Sequence, residues 1–162
     1  MDGIVSTVEG GCSCGAVRYR LASEPMFVHC CHCLNCQRQT GSAFVINLLV
    51  EADRLEVTGA TEAVEVARDE GTQTIHRCPA CKVAVYSFYT YPTIAFVRAG
   101  TLDDPSVIEP DVHIYTRSKV PWLRLPDGAP VYEAFYPGRE IWPEASRKRL
   151  AALIASREAT AS

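Results

Sequence analysis

The chain has 162 residues, 48% hydrophobic and 22% charged, with 10 glycines and 10 prolines, a profile that suits one globular domain able to bury a core without cross-links. Its net charge of −3, from 16 Lys and Arg against 19 Asp and Glu, lacks the basic excess of a generic nucleic-acid binder, and the short cluster Arg147-Lys148-Arg149 does not supply one. No run approaches the roughly 18 apolar residues of a membrane span, and the opening MDGIVSTVEGG has neither a basic n-region nor an apolar h-region, so a cytoplasmic protein is expected.

In chain order, Ala16 to Leu21 alternates with the period of a half-buried strand, and Met26 to Cys30 continues in extended style after Pro25. Leu34 to Thr40 reads as a short helical turn with Gly41 as its C-cap. Strand patterns follow at Phe44–Val50, Leu55–Thr58, Ala63–Ala67, Thr72–Arg77, Val83–Tyr89 and Ile94–Ala99. Turn signals at Thr58-Gly59, Glu70-Gly71, Tyr91-Pro92 and Gly100 separate them at the spacing of an antiparallel all-β domain. Pro105 to Gly138 holds six prolines and predicts long loops, with brief strands near Val112–Tyr115 and Val131–Phe135. Pro143 to Glu158 has Pro in its first turn and Leu150, Leu153 and Ile154 at helical spacing, which predicts a C-terminal helix with a frayed Ala-Thr-Ala-Ser end. The expected organisation is one domain over residues 1–140, followed by this helix and tail over 141–162.

Eight cysteines are many for a chain with an adequate core, and in a reducing compartment clustered cysteines bind metal or do chemistry. Cys12-Ser13-Cys14 and Cys78-Pro79-Ala80-Cys81 each precede a β-rich run and look like an internal half-repeat. Two such turns on neighbouring strands would make a closed four-sulfur zinc site. The competing readings are a strained disulfide within the first pair and a redox dithiol in the second. In the middle cluster, strand alternation sends Cys30 and Cys31 to opposite faces, with Cys30 expected in the core. Cys31, Cys33 and Cys36 then offer three thiolates to a second zinc at a strand-to-helix turn. An open fourth position is the mark of a catalytic zinc, whereas a histidine (His29, His32, His76 or His113) would close it. A three-thiolate zinc is electron-rich, a weak generator of hydroxide and better matched to a substrate thiol.

Three sets of residues, Gly11-Cys12-Ser13-Cys14-Gly15-Ala16-Val17, Cys31-His32-Cys33-Leu34-Asn35-Cys36-Gln37-Arg38 and Cys78-Pro79-Ala80-Cys81, resemble the glutathione-dependent formaldehyde-activating enzyme family, which includes centromere-protein-V-like proteins. His113-Ile114-Tyr115, Lys119, Pro121-Trp122 and Asp127-Gly128 are similar to its C-terminal signature. The resemblance implies a mainly β, zinc-bearing β-tent fold of antiparallel strands. It also implies a structural zinc on Cys12, Cys14, Cys78 and Cys81, and a catalytic zinc on Cys31, Cys33 and Cys36. The implied reaction joins formaldehyde and glutathione into S-hydroxymethylglutathione, the reverse of a carbon–sulfur lyase step. The expected partners are therefore a small thiol and an aldehyde, with no nucleic acid or membrane and a homo-oligomer allowed. A non-catalytic zinc-binding interaction module is the alternative. Arg38 reads either as a partner for a substrate carboxylate or as a surface residue, and His113 and Trp122 read either as site lining or as packing. Lys82 departs from the pattern, since the family places glycine after its last cysteine, so this turn must reach positive φ without one.

Overall fold

The computed structural model describes residues 7–69, 71–90 and 92–161. Glu70 and Tyr91, each one member of an expected turn pair, lie outside the described residues, as does Ser162 of the expected frayed end. Among the described residues, ten strands and two α-helices make the architecture: β1 (Val8–Gly11), β2 (Arg18–Leu21), β3 (Phe27–Cys31), α1 (Leu34–Thr40), β4 (Val45–Glu51), β5 (Leu55–Thr58), β6 (Glu62–Arg68), β7 (Gly71–Arg77), β8 (Ala84–Phe88), β9 (Ile94–Arg98), β10 (Val112–Ile114) and α2 (Glu144–Ala161). A three-stranded sheet has the order β1-β2-β5, and a seven-stranded sheet has the order β10-β3-β4-β9-β8-β7-β6.

β4 shows how the core is divided. Every other side chain along a strand points to the same face, so Leu48 and Val50 join Val17, Tyr19, Leu21, Val28 and Val97 in one cluster. Leu49, on the opposite face, packs with Met26, Phe27, Val112, Trp142 and Leu150. Because both faces of the large sheet are covered, β3 is buried at all five positions, which explains why Phe27 to Cys31 is apolar without clean alternation.

One strand was not anticipated, and three expectations need correction. Val8–Gly11 is a strand although Gly10-Gly11 disfavours one; a Cβ at Gly10 would lie 2.4 Å from both the Thr101 carbonyl oxygen and Tyr19 Oη, so close approach requires glycine there. The sheet is not wholly antiparallel: the long connection after β9 brings β10 alongside β3 in parallel register, His113 opposite Cys30. Val131–Phe135 is not a strand but a single bridge from Val131 to His113; Pro130 has no N–H to extend the ladder. Finally, α2 continues through Ala159, Thr160 and Ala161, with Thr160 Oγ1 donating to the Ser156 carbonyl at 3.1 Å. It docks by its first half, where Leu150 is buried, while Ile154 is 47% exposed.

Candidate metal centre and reaction site

The two outer cysteine pairs are built alike. In each, the first cysteine donates its N–H to a carbonyl five residues on, Cys12 to Val17 and Cys78 to Val83, both at 3.0 Å. In each, the residue after the second cysteine has left-handed backbone, Gly15 at φ 79° and Lys82 at φ 64°. The turns bring Cys12 Sγ to 3.6 Å from Cys14 Sγ, and Cys14 Sγ to 3.6 Å from Cys78 Sγ. All four sulfurs lie within 4.8 Å of one another. Sulfurs about 2.3 Å from a tetrahedral zinc stand roughly 3.8 Å apart, so this donor set fits that ion. The Val17 amide, bonded to Cys12 Sγ at 3.3 Å, pulls the Cys12 thiol down to about 6, which favours the thiolate a metal needs.

Cys31 ends β3, Cys33 is the N-cap of α1, and Cys36 lies in its first turn. Cys33 has extended backbone (φ −68°, ψ 150°), and its sulfur accepts the Cys36 N–H at 3.3 Å. Gly41, left-handed at φ 63°, closes the helix by donating to the Gln37 carbonyl at 2.8 Å. The three sulfurs lie within 4.8 Å of one another, and Cys33 is the partly exposed member. Hydrogen bonds from Cys31 and Cys36 hold the Cys33 thiol far down, while the same sharing pushes Cys31 up. Three thiolates so close repel, so a cation is what would let all of them ionise together. This set also fits a zinc ion.

Among the described residues, no histidine, cysteine, aspartate or glutamate adds a fourth donor within 4.8 Å of those three sulfurs. Each candidate histidine is engaged elsewhere. His29 meets Tyr136 Oη at 2.7 Å, and burial pushes it down to about 3. His76 stacks on Tyr86 and bonds Thr61 Oγ1 at 3.0 Å. His32 Nε2 lies 3.0 Å from His113 Nδ1, with Cys30 Sγ 3.5 Å from the same His32 nitrogen. Cys30, His32 and His113 form a third cluster whose donor atoms also lie within 4.8 Å. Its 3.0 Å contact is a hydrogen-bond length, shorter than the roughly 3.3 Å separating two imidazole nitrogens on a tetrahedral zinc. Cys30 is buried as expected, but against this imidazole pair rather than in either apolar cluster.

The C-terminal signature clamps the cysteine turn. The His32 N–H donates to the Ile114 carbonyl at 3.0 Å. The His32 carbonyl accepts from Gln37 Nε2 and Ser118 Oγ, both at 2.9 Å. His113 is buried beside the site through His32, whereas Trp122 is 70% exposed and Arg38 lies on the exposed face of α1.

Sequence reasoning missed the polar layer that packs around Cys36. Arg98, 6% exposed, donates through Nη1 to Asn47 Oδ1 at 2.8 Å and through Nη2 to Gln39 Oε1 at 2.9 Å, and its Nε has no partner among the described residues. Gln39 Nε2 reaches Gln73 Oε1 at 3.1 Å; Arg68 shares that acceptor, and Gln73 Nε2 donates to Ser87 Oγ at 3.0 Å. Burial pulls the Arg98 guanidinium down, opposed first by the nearby Cys36 charge, so cation and thiolate support each other. The available signal was a lone arginine ending the apolar run Ile94–Arg98. Beside this layer opens a cleft of about 440 Å³, whose lining includes Gln39, Thr40, Val45, Arg77, Lys82 and Arg98.

Residues 7–118 match the family model described as glutathione-dependent formaldehyde-activating enzyme. A Halomonas elongata protein provisionally named as such an enzyme is 31% identical over 126 residues, 73% of this chain and 80% of that protein. A Talaromyces marneffei protein with the same provisional name is 22% identical over 121 residues, 72% of this chain and 65% of that protein, so the chain spans just under two thirds of its length. Among solved structures, the crystal structure of a Rhodobacter sphaeroides protein has a TM-score of 0.47 and 20% identity, covering 63% of this chain and 96% of that one.

Proposed function

The chain belongs to the glutathione-dependent formaldehyde-activating enzyme family, and from that premise we propose that it is a zinc-dependent enzyme of carbon–sulfur lyase type, joining a small thiol such as glutathione to formaldehyde. Cys12, Cys14, Cys78 and Cys81 would hold a structural zinc, and Cys31, Cys33 and Cys36 a reactive one. The observation that carries this reading is the set of three convergent sulfurs without a fourth histidine, cysteine or carboxylate donor within reach among the described residues. Zinc held there would supply a position for an incoming thiol and lower its pKa.

The chain's own residues prepare that position. Buried Cys31 and Cys36 fix two of the three donors, and partly exposed Cys33 leaves an approach from solvent. Arg98 offsets the negative charge that three thiolates and an incoming fourth would accumulate. The clamp on His32 holds Cys31 and Cys33 in register, so the acceptor geometry is in place before substrate arrives. In the net reaction a carbon–sulfur bond forms between the thiol sulfur and the formaldehyde carbon. The carbonyl π pair moves to oxygen, which gains the proton that the thiol released.

The same reading places the protein in the cytoplasm, with small molecules rather than nucleic acid as partners, in keeping with its net charge of −3. Among the described residues no helix is long and apolar enough to cross a membrane. Residues 1–140 are taken as the catalytic domain and 141–162 as the C-terminal helix and tail, the first half of α2 packing through Leu150. A closed second site would favour the non-catalytic alternative, and among the described residues no histidine, cysteine, aspartate or glutamate lies within 4.8 Å of the three sulfurs to close it.

The test is the rate at which glutathione and formaldehyde interconvert with S-hydroxymethylglutathione, read by exchange NMR against the spontaneous reaction. The purified protein should accelerate it, and C36S should return it to background while one zinc per chain remains. Wild-type protein with two zincs and no acceleration would contradict the proposal.

A further inference from the structure

The cleft beside the three cysteines is chemically one-sided. Arg77, Lys82 and Arg98 line it, and no acidic side chain does, in a chain whose net charge is −3. Its volume of about 440 Å³ suits a small ligand. Its position ties it to the reaction site: Gln39 and Thr40 stand one helical turn beyond Cys36 on α1, with Thr40 Oγ1 donating to the Cys36 carbonyl at 3.0 Å. Val45, also in the wall, pairs with Cys31 across β3 and β4.

Lys82 is the residue that departs from the family pattern, and its backbone at φ 64° is unfavourable for any residue with a Cβ. A residue with a Cβ held at positive φ beside a cleft points to a use of its side chain. Arg77 Nη1 braces the turn by donating to the Lys82 carbonyl at 3.2 Å. Lys82 Nζ rests on Glu62 Oε2 at 2.8 Å, an ion pair about half exposed on both sides and therefore readily exchanged for another carboxylate. Deeper in the wall, Arg98 is buried with an unpartnered Nε.

Resting on the thiol-plus-aldehyde reading above, we infer that this cleft is an anion subsite that selects thiols bearing a carboxylate, with Lys82 at its rim as the specificity-determining residue. A tripeptide thiol with two carboxylates, such as glutathione, could then set its sulfur at the cysteine turn while a carboxylate reaches the cations. A neutral thiol gains nothing from the cleft.

The experiment uses S-methylglutathione, which keeps both carboxylates but has no free thiol, and its diester, which keeps neither. Affinities are measured by calorimetry on the zinc-loaded full chain. Wild type should bind the diacid and not the diester. K82G should weaken the diacid about threefold to fivefold and K82E by more, K82R should retain it, and E62Q, which frees Lys82, should tighten it. The K82G turn is relieved of strain, so a loss of affinity there cannot be blamed on misfolding. Equal diacid affinity across wild type, K82G and K82E, or no diacid binding to wild type, would overturn the inference. Exchange NMR with formaldehyde and 2-mercaptoethanol on the same samples separates this result from the enzyme reading. A protein that binds the diacid through Lys82 but accelerates neither thiol keeps the subsite and loses the activity. One that accelerates both thiols equally in every Lys82 variant keeps the activity and loses the subsite.

Discussion

Gly15 and Lys82 stand at equivalent points of two turns, each just after a second cysteine and each with positive φ. Only one of them is free of conformational cost. An ideal Cβ at Gly15 would touch nothing within 4 Å, so G15A isolates the backbone penalty of left-handed geometry, about 1 kcal/mol. K82G should recover a similar amount, less the weak pairing with Glu62. For a chain of this length, differential scanning calorimetry should show Tm falling by about 2–4 °C in G15A and rising by up to as much in K82G. A K82G protein that melts below wild type would mean that the Lys82 side chain stabilises the turn more than its backbone strains it. At this scale the sequence was legible for the seven clustered cysteines and for the anomaly at Lys82, because ligand spacing and a missing glycine are local features. Arg98, Asn47, Gln39 and Gln73 were not legible. They meet across sequence gaps such as the 59 residues between Gln39 and Arg98, and no local pattern encodes that contact.

Among the elements, the strand-to-helix turn from β3 into α1 makes the site, and α2 secures the sheet behind it. Arg149 reaches from α2 to Glu51 at the end of β4, with Nε at 2.7 Å and Nη2 at 2.6 Å from its two oxygens, and also to Ser23 Oγ at 2.9 Å. Glu51 is 3% exposed. Burial pushes its carboxyl up, but the Arg149 hydrogen bonds overcome this, and the net result lies below the usual carboxylate range. Because the folded value is below the unfolded one, the stabilisation is complete at neutral pH and is lost as pH falls through the folded value. R149A leaves the buried carboxylate with only the longer 3.8 Å contact to Arg54 Nε and should cost about 2–3 kcal/mol at pH 7, discounted from the fully buried case because Arg149 itself is partly exposed. Urea midpoints of wild type and R149A should converge towards pH 3; a gap that stays constant would remove the ion pair from the explanation. Strands and helices with strong periodicity were legible in the sequence, α1 and its Gly41 cap included. β1 was hidden by Gly10-Gly11, whose packing reason lies at Thr101. The expected strand at Val131–Phe135 was too short to compete with its prolines and persists only as a bridge on the edge of β10.

Across the whole molecule, two similar cysteine turns, 64 residues apart between Cys14 and Cys78, close on each other and bring the small sheet against the large one. Between them, β3, α1, β10 and β9 converge so that three sulfurs, a buried guanidinium and a cationic cleft share one corner. The pairing of the two outer cysteine motifs follows from their shared design. The openness of the middle site depends instead on where four histidines point, and only the folded chain answers that. On the proposed reading, Cys31, Cys33 and Cys36 hold a metal with room for a substrate thiol. The most direct measurement is a glutathione titration of protein carrying cobalt at that site, followed through the sulfur-to-cobalt and d–d absorption bands. The bands should change saturably with glutathione, and the change should vanish in C31S. A spectrum that added thiol leaves unaltered would contradict the account.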